Sequence, residues 1–119
     1  MTDKNPFWTY WVPVILYAGI IFTLSSFPLA LPPGLQVRNV DKLIHMMEYG
    51  IFGYLLARAF LEASSSELQK SFQMWAMIIA ICYGFTDEIH QSFVPMRETS
   101  SIDLVCDGIG AILAQFFFK

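Results

Sequence analysis

The sequence predicts an all-α integral membrane bundle of four transmembrane helices. Three observations carry that prediction. The chain is 55% hydrophobic and only 14% charged, against about 25% charged in an ordinary soluble domain. Four apolar runs, each near the ~20 residues a spanning helix needs, are divided by proline-rich or polar breaks. The charged residues are not scattered but gather at the ends of those runs. With 119 residues, the chain reads as one domain, 1–119, with helices expected near 7–27, 41–62, 71–91 and 101–118.

The first run, Phe7 to Phe27, opens on Trp8, Tyr10 and Trp11, an aromatic belt of the kind found at a membrane interface. Pro13 falls early in it, where the missing backbone donor costs least or bends the helix. A cleaved signal peptide is disfavoured. Asp3 dilutes the positive n-region, the apolar stretch is long and no A-x-A site follows it. Pro28 to Val40 holds Pro28, Pro32, Pro33 and Gly34 and reads as a loop. Asp41 is then an N-cap for the second helix, which carries Lys42, His45 and Glu48 in its first turns before turning apolar. Ala63 to Lys70 reads as a serine-rich polar loop. The third run, from Phe72, ends in Asp87-Glu-Ile-His-Gln91. After a short loop with Pro95 and Arg97, Ser101 caps the fourth helix, whose first turns hold Asp103 and Asp107.

Alternation of four spans delivers three polar clusters to one side of the bilayer: Asp41 to Glu48, Asp87 to Gln91 and Asp103 to Asp107. Ser25 and Ser26 fall there too. Helical spacing puts Asp41, His45 and Glu48 on one stripe, and Asp87 and Gln91 on one face with Tyr83. Asp103, Asp107, Gly110 and Ala114 form a stripe of carboxylates over small residues, which let neighbouring helices approach closely. Lys4, Arg58, Lys70 and Lys119 lie on the opposite side. The positive-inside rule therefore puts both termini in the cytoplasm and the polar clusters outside. Net charge is -3 with no basic block, which argues against a nucleic-acid partner. Cys82 and Cys106 lie within apolar segments and read as small core residues rather than a disulfide.

Asp41-Lys-x-x-His45 followed by Tyr49 resembles the first signature of the VanZ-like family. The remaining signatures match Asp87-Glu-x-His-Gln91, Phe93, Pro95, Arg97, and then Asp103 and Asp107 ahead of Gly110. The match runs from about Leu24 to Ala114, with the motifs in family order and spacing. One departure is Met96, where the pattern has a glycine. The resemblance implies a small polytopic protein of the bacterial cytoplasmic membrane. It also implies an association with resistance to the glycopeptide teicoplanin or with cell-envelope metabolism.

Four uses of the clusters compete. In the first, an enzyme acts on a lipid-linked phosphate substrate at the extracytoplasmic surface. His45 or His90 is then general base or nucleophile, an Asp orients the imidazole, and Lys42 and Arg97 hold the phosphate. Asp87, Gln91, Asp103 and Asp107 complete the catalytic set, with Asp41, Lys42 and Glu48 as substrate-binding residues. In the second, a non-catalytic protein binds an envelope lipid, a wall precursor or the glycopeptide itself. In the third, the acids and histidines mark a proton or ion path, although the far halves of all four runs are apolar apart from Arg58 and Gln115 and line no complete path. In the fourth, caps and ion pairs only tie helix ends together. Two histidines among carboxylates leave a divalent metal open, with no HExxH motif to support it. The bilayer is the expected partner, and nothing in the sequence sets an oligomeric state.

Overall fold

The computed structural model describes residues 6–26, 38–95 and 101–118. Among them the regular structure is helical, with no strand: α1 (Pro6–Ser25), α2 (Arg38–Glu62), α3 (Ser66–Lys70), α4 (Phe72–Gln91) and α5 (Ser101–Ala114), followed by a 3-10 turn at Gln115–Phe117.

Three stretches differ from the sequence reading, the first being the fourth helix, expected to reach 118, whose α-helical part ends at Ala114 and tightens into the 3-10 turn. Helix α2 begins at Arg38 rather than Asp41, so Asp41 lies inside the first turn. Acids are favoured both at an N-cap and in the first turn of a helix, which is why the two look alike in sequence. The polar 63–70 segment is not all loop. Ser65 is extended (φ -68°, ψ 159°) and its side chain accepts from the Leu68 amide at 3.4 Å. Glu67 sits in the first turn of α3 and Lys70 in its last, the charge order that the dipole favours.

Helix α2 is the centre of the bundle and packs against α1, α4 and α5. Small residues set the spacing. A Cβ on Gly110 would collide with the carbonyl of Met46, and one on Gly53 would stand 2.9 Å from Ala111 Cα. Both glycines therefore let α5 approach α2 backbone to backbone. Ala57, Ala59, Ala76, Ala80 and Ala111 are fully buried around Tyr49, Phe52 and Leu56.

Contacts fix the helix directions. Trp11 Nε1–H donates to the Ala63 carbonyl at 2.8 Å, so α1 and α2 are antiparallel. Tyr83 O–H donates to the Ala18 carbonyl at 2.6 Å and Gln91 Nε2 donates to Ser25 Oγ at 3.2 Å, so α1 and α4 run parallel. Lys42 meets Asp103 and His45 meets Asp107, so α2 and α5 are parallel as well. The end of α1, the start of α2, the end of α4 and the start of α5 therefore meet at one end of the bundle.

The exterior is apolar. Leu16, Phe22, Met47, Phe85, Val105 and Ile102 are each more than half exposed. The interior holds Ser25, His45, Asp87, Gln91, Asp103 and Asp107. By length and composition, Phe7–Ser25 is the one helical stretch among the described residues apolar enough to cross a bilayer. Helix α2 carries charged residues at both ends. Helix α5, with 14 residues, rises roughly 21 Å against a hydrocarbon core of about 30 Å.

Candidate polar site

The site is built across the α2–α5 seam and closed by α4. On α2, Lys42, His45 and Tyr49 follow one another at helical steps and face inward. On α5, Asp103 and Asp107 occupy the same face as Gly110, Ala111 and Ala114, all buried. Lys42 Nζ donates to Asp103 Oδ1 at 2.6 Å, a charge-assisted bond at the partly exposed rim. One turn deeper, His45 Nδ1 lies 2.9 Å from Asp107 Oδ1, with the two side chains 4% and 1% exposed. His45 Nε2 lies 3.9 Å from Asp103 Oδ2, beyond hydrogen-bond range. The two ion pairs thus stack as Lys42–Asp103 over His45–Asp107.

Helix α4 supplies the third wall through Ala76, Ala80, Gly84, Asp87 and Gln91, its buried face. Gly84 makes room for the acid: a Cβ there would lie 3.2 Å from Asp107 Oδ2 and 3.4 Å from the Tyr49 ring. Tyr49 O–H donates to Asp87 Oδ2 at 3.2 Å. Asp87 Oδ1 and Gln91 Oε1 are buried without a hydrogen-bond partner among the described residues. Buried acceptors seldom stay unpaired, so these two oxygens are open to a donor from water or a ligand.

The structure brings together Lys42, His45, Asp87, Asp103 and Asp107, with Tyr49 between the acids of α4 and α5. Glu48 is half-buried on the same helix. Gln91 is buried at the same end, bonded to Ser25 of α1. His90 turns to α1: its Nε2 is 3.5 Å from Ser26 Oγ and its ring stacks on Phe22 at 4.3 Å. Its described partners are therefore on α1 and not the carboxylates of α5. Asp41 belongs to α2, and its side chain, like the whole of Arg97, lies outside the described residues. Cys106 is buried as expected of a core residue, whereas Cys82 is exposed on the outside of α4, and the two are not joined in a disulfide.

Sequence reasoning placed Tyr49 in the first signature but, beyond that, read it as a packing residue with a satisfied hydroxyl and not as part of the site. Its place four residues after His45 puts it on the same stripe and was the available signal. Lys42 read as a phosphate-holding cation; its ion pair with Asp103 was not visible, because that partner is 61 residues away. Among the described residues no three His, Cys, Asp or Glu side chains are grouped to hold a metal ion. Chemically, the arrangement is a buried imidazole oriented by a carboxylate. With Nδ1–H donating to Asp107, Nε2 is the nitrogen able to exchange a proton.

No curated protein and no solved structure matches the chain. The model of the VanZ/LLP1 family matches residues 3–119, essentially its whole length, and the chain belongs to that family.

Proposed function

We propose that this protein is a multi-pass membrane protein of the cell envelope. In this reading α1, α2, α4 and α5 cross the bilayer and the polar site opens at the extracytoplasmic surface. Membership of the VanZ/LLP1 family supports a role linked with glycopeptide resistance, and the site would act on the phosphate headgroup of a lipid-linked envelope substrate. The observation that carries this reading is the inverted polarity of the bundle: large apolar side chains outside, and a buried His45–Asp107 pair beside Asp87 inside. Exposed apolar surface on this scale marks a surface that meets something other than water. Ionisable groups kept inside an apolar bundle are costly and point to function.

In the proposed chemistry, His45 exchanges a proton through Nε2 and Asp107 holds the ring and its tautomer. Lys42 brings a cation to the rim, and Arg97 is a second candidate. The open acceptors on Asp87 and Gln91 would take hydroxyl or amide donors of the substrate. Asp41 and Glu48 remain candidate supports at the same end, and His90 a candidate at the α1 side.

A second reading is a binder without turnover. It is favoured by the closure of the network, since His45 is almost wholly buried and Asp103 stands over its Nε2. Incubating the purified protein with lipid-linked wall precursors, followed by mass spectrometry, separates the two. New product from the wild type and none from a folded His45→Asn variant supports catalysis. Measurable affinity with unchanged substrate supports binding. Wild-type behaviour of His45→Asn in turnover, affinity and the resistance phenotype would sink the site.

A further inference from the structure

A cavity of about 620 Å³ lies along the α2–α5 seam on the outside of the bundle. Met46, Gly50 and Tyr54 line it from α2, Gly110 and Leu113 from α5, and Phe117 from the 3-10 turn that follows. We propose that this groove holds one hydrocarbon chain of the lipid whose headgroup the Lys42–Asp103–His45–Asp107 network handles. The proposal rests on the phosphate-lipid reading of the polar end.

The first argument is position. Lys42, Met46, Gly50 and Tyr54 recur every four residues and so form one inclined ridge of α2, which winds about 120° from the inner face at Lys42 toward the outside at Tyr54. That ridge starts in the polar network and continues as the groove wall. On α5, Gly110 follows Asp107 by three residues, and Phe117 of the 3-10 turn carries the wall onward. Because α2 and α5 are parallel, the ion pairs and the cavity lie in order along the same seam. From Lys42 to Tyr54 it runs roughly 18 Å. An occupant that fits both parts has a polar head and a long apolar tail.

The second argument is the lining. It carries no charged residue, and its one polar side chain is Tyr54. Met46 is a flexible, polarizable side chain suited to an occupant without fixed shape.

The third is size. Three turns of helix about 10 Å across and 16 Å long occupy roughly 1,200 Å³, about twice the cavity. The volume lies instead within the range of about 300–1,000 Å³ typical of small-ligand sites. A whole helix would therefore not enter the cavity and could only lie across its opening. The closest approach at the floor is also already used within the chain, where a Cβ on Gly50 would sit 3.5 Å from the Gly110 carbonyl oxygen.

The test uses the purified full chain in detergent micelles and two probes. One is phosphatidic acid carrying a diazirine midway along one acyl chain, and the other is diacylglycerol with the same label. Adducts are mapped by peptide mass spectrometry. The expected result is adducts concentrated on groove residues, with phosphatidic acid giving the higher yield. Leu113→Trp, which folds an indole across the opening, should lower groove adducts about tenfold, and Ile78→Trp on α4 should leave them unchanged. Met47→Trp on the opposite lip repeats the block if Leu113→Trp fails to fold. Adducts spread over the apolar exterior in proportion to exposure, or groove adducts indifferent to both blocking variants, overturn the groove. Groove adducts of equal yield from the two lipids leave the groove standing and overturn the phosphate headgroup.

Discussion

His45 of α2 and Asp107 of α5 lie 62 residues apart in sequence and 2.9 Å apart in space, ring nitrogen to carboxylate oxygen. Neither side chain is more than 4% exposed. A pair this deeply buried is more damaging to halve than to delete, because the survivor keeps its desolvation penalty without its partner.

That asymmetry is measurable. His45→Leu or Asp107→Leu alone should lower stability by about 3–5 kcal/mol. The double variant should lose clearly less than the sum of the two. Unfolding in detergent micelles, analysed as a double-mutant cycle, reads the coupling. Strictly additive losses would mean that the two groups do not meet.

Tyr49 and Tyr83 give a second contrast. Tyr49 O–H donates to Asp87, whose other oxygen has no hydrogen-bond partner among the described residues. Tyr49→Phe should therefore cost about 1–3 kcal/mol by leaving a buried carboxylate without partners. Tyr83 O–H donates to a helix carbonyl of α1, so Tyr83→Phe should cost only about 0.5–1.5 kcal/mol. The same unfolding assay ranks them, and a larger loss from Tyr83→Phe would contradict the assignment.

The long elements were legible in the sequence because each repeats its signal many times over: apolar runs of helical length, breaks rich in proline or serine, acids at helix starts. Helix α3 was not, because five residues held by the Ser65 cap leave no periodicity to see. The inward face of α5 was readable from Asp103, Asp107, Gly110 and Ala114, since small residues and carboxylates share one stripe. The partners across the seam were not. Spacing assigns His45 and Asp107 to stripes but says nothing of how two helices rotate against each other, and that rotation pairs them. His90 shows the limit most clearly. One residue from Ile89 and one from Gln91, it falls on the flank of α4, and only packing decides that it stacks on Phe22.

Close approach of α2 and α5 makes a prediction about glycine. Gly110→Ala places a methyl against the Met46 carbonyl. Backbone cannot give way as a side-chain tip can, so the helices must separate and the Lys42–Asp103 and His45–Asp107 bonds must stretch. A loss of about 1–3 kcal/mol is expected from overpacking. Gly19→Ala on α1 meets nothing within 4 Å and should be neutral or stabilising by up to about 1 kcal/mol. Thermal unfolding of both variants side by side checks the pair. Equal effects would deny the tight seam.

The four-span reading makes the last prediction, and it concerns sides. In that reading the turn between α2 and α4 faces the cytoplasm, and the segment after α4 faces outward with the polar site. Ser66 and Phe93 are exposed at these two ends of the bundle, Phe93 at 80%. Each is therefore a reporter that disturbs no packing. In a Cys82→Ser background, Phe93→Cys should react with a membrane-impermeant maleimide on intact cells. Ser66→Cys should react only after the membrane is opened. Cys106 is buried and supplies the unreactive reference. The opposite pattern would invert the orientation while keeping the spans, because alternation fixes only that the two sites differ. Labelling of both from the same side would mean that α4 does not cross. The apolar exterior of α4, with Ile78, Ile81 and Phe85 exposed, would then need a protein surface in place of lipid.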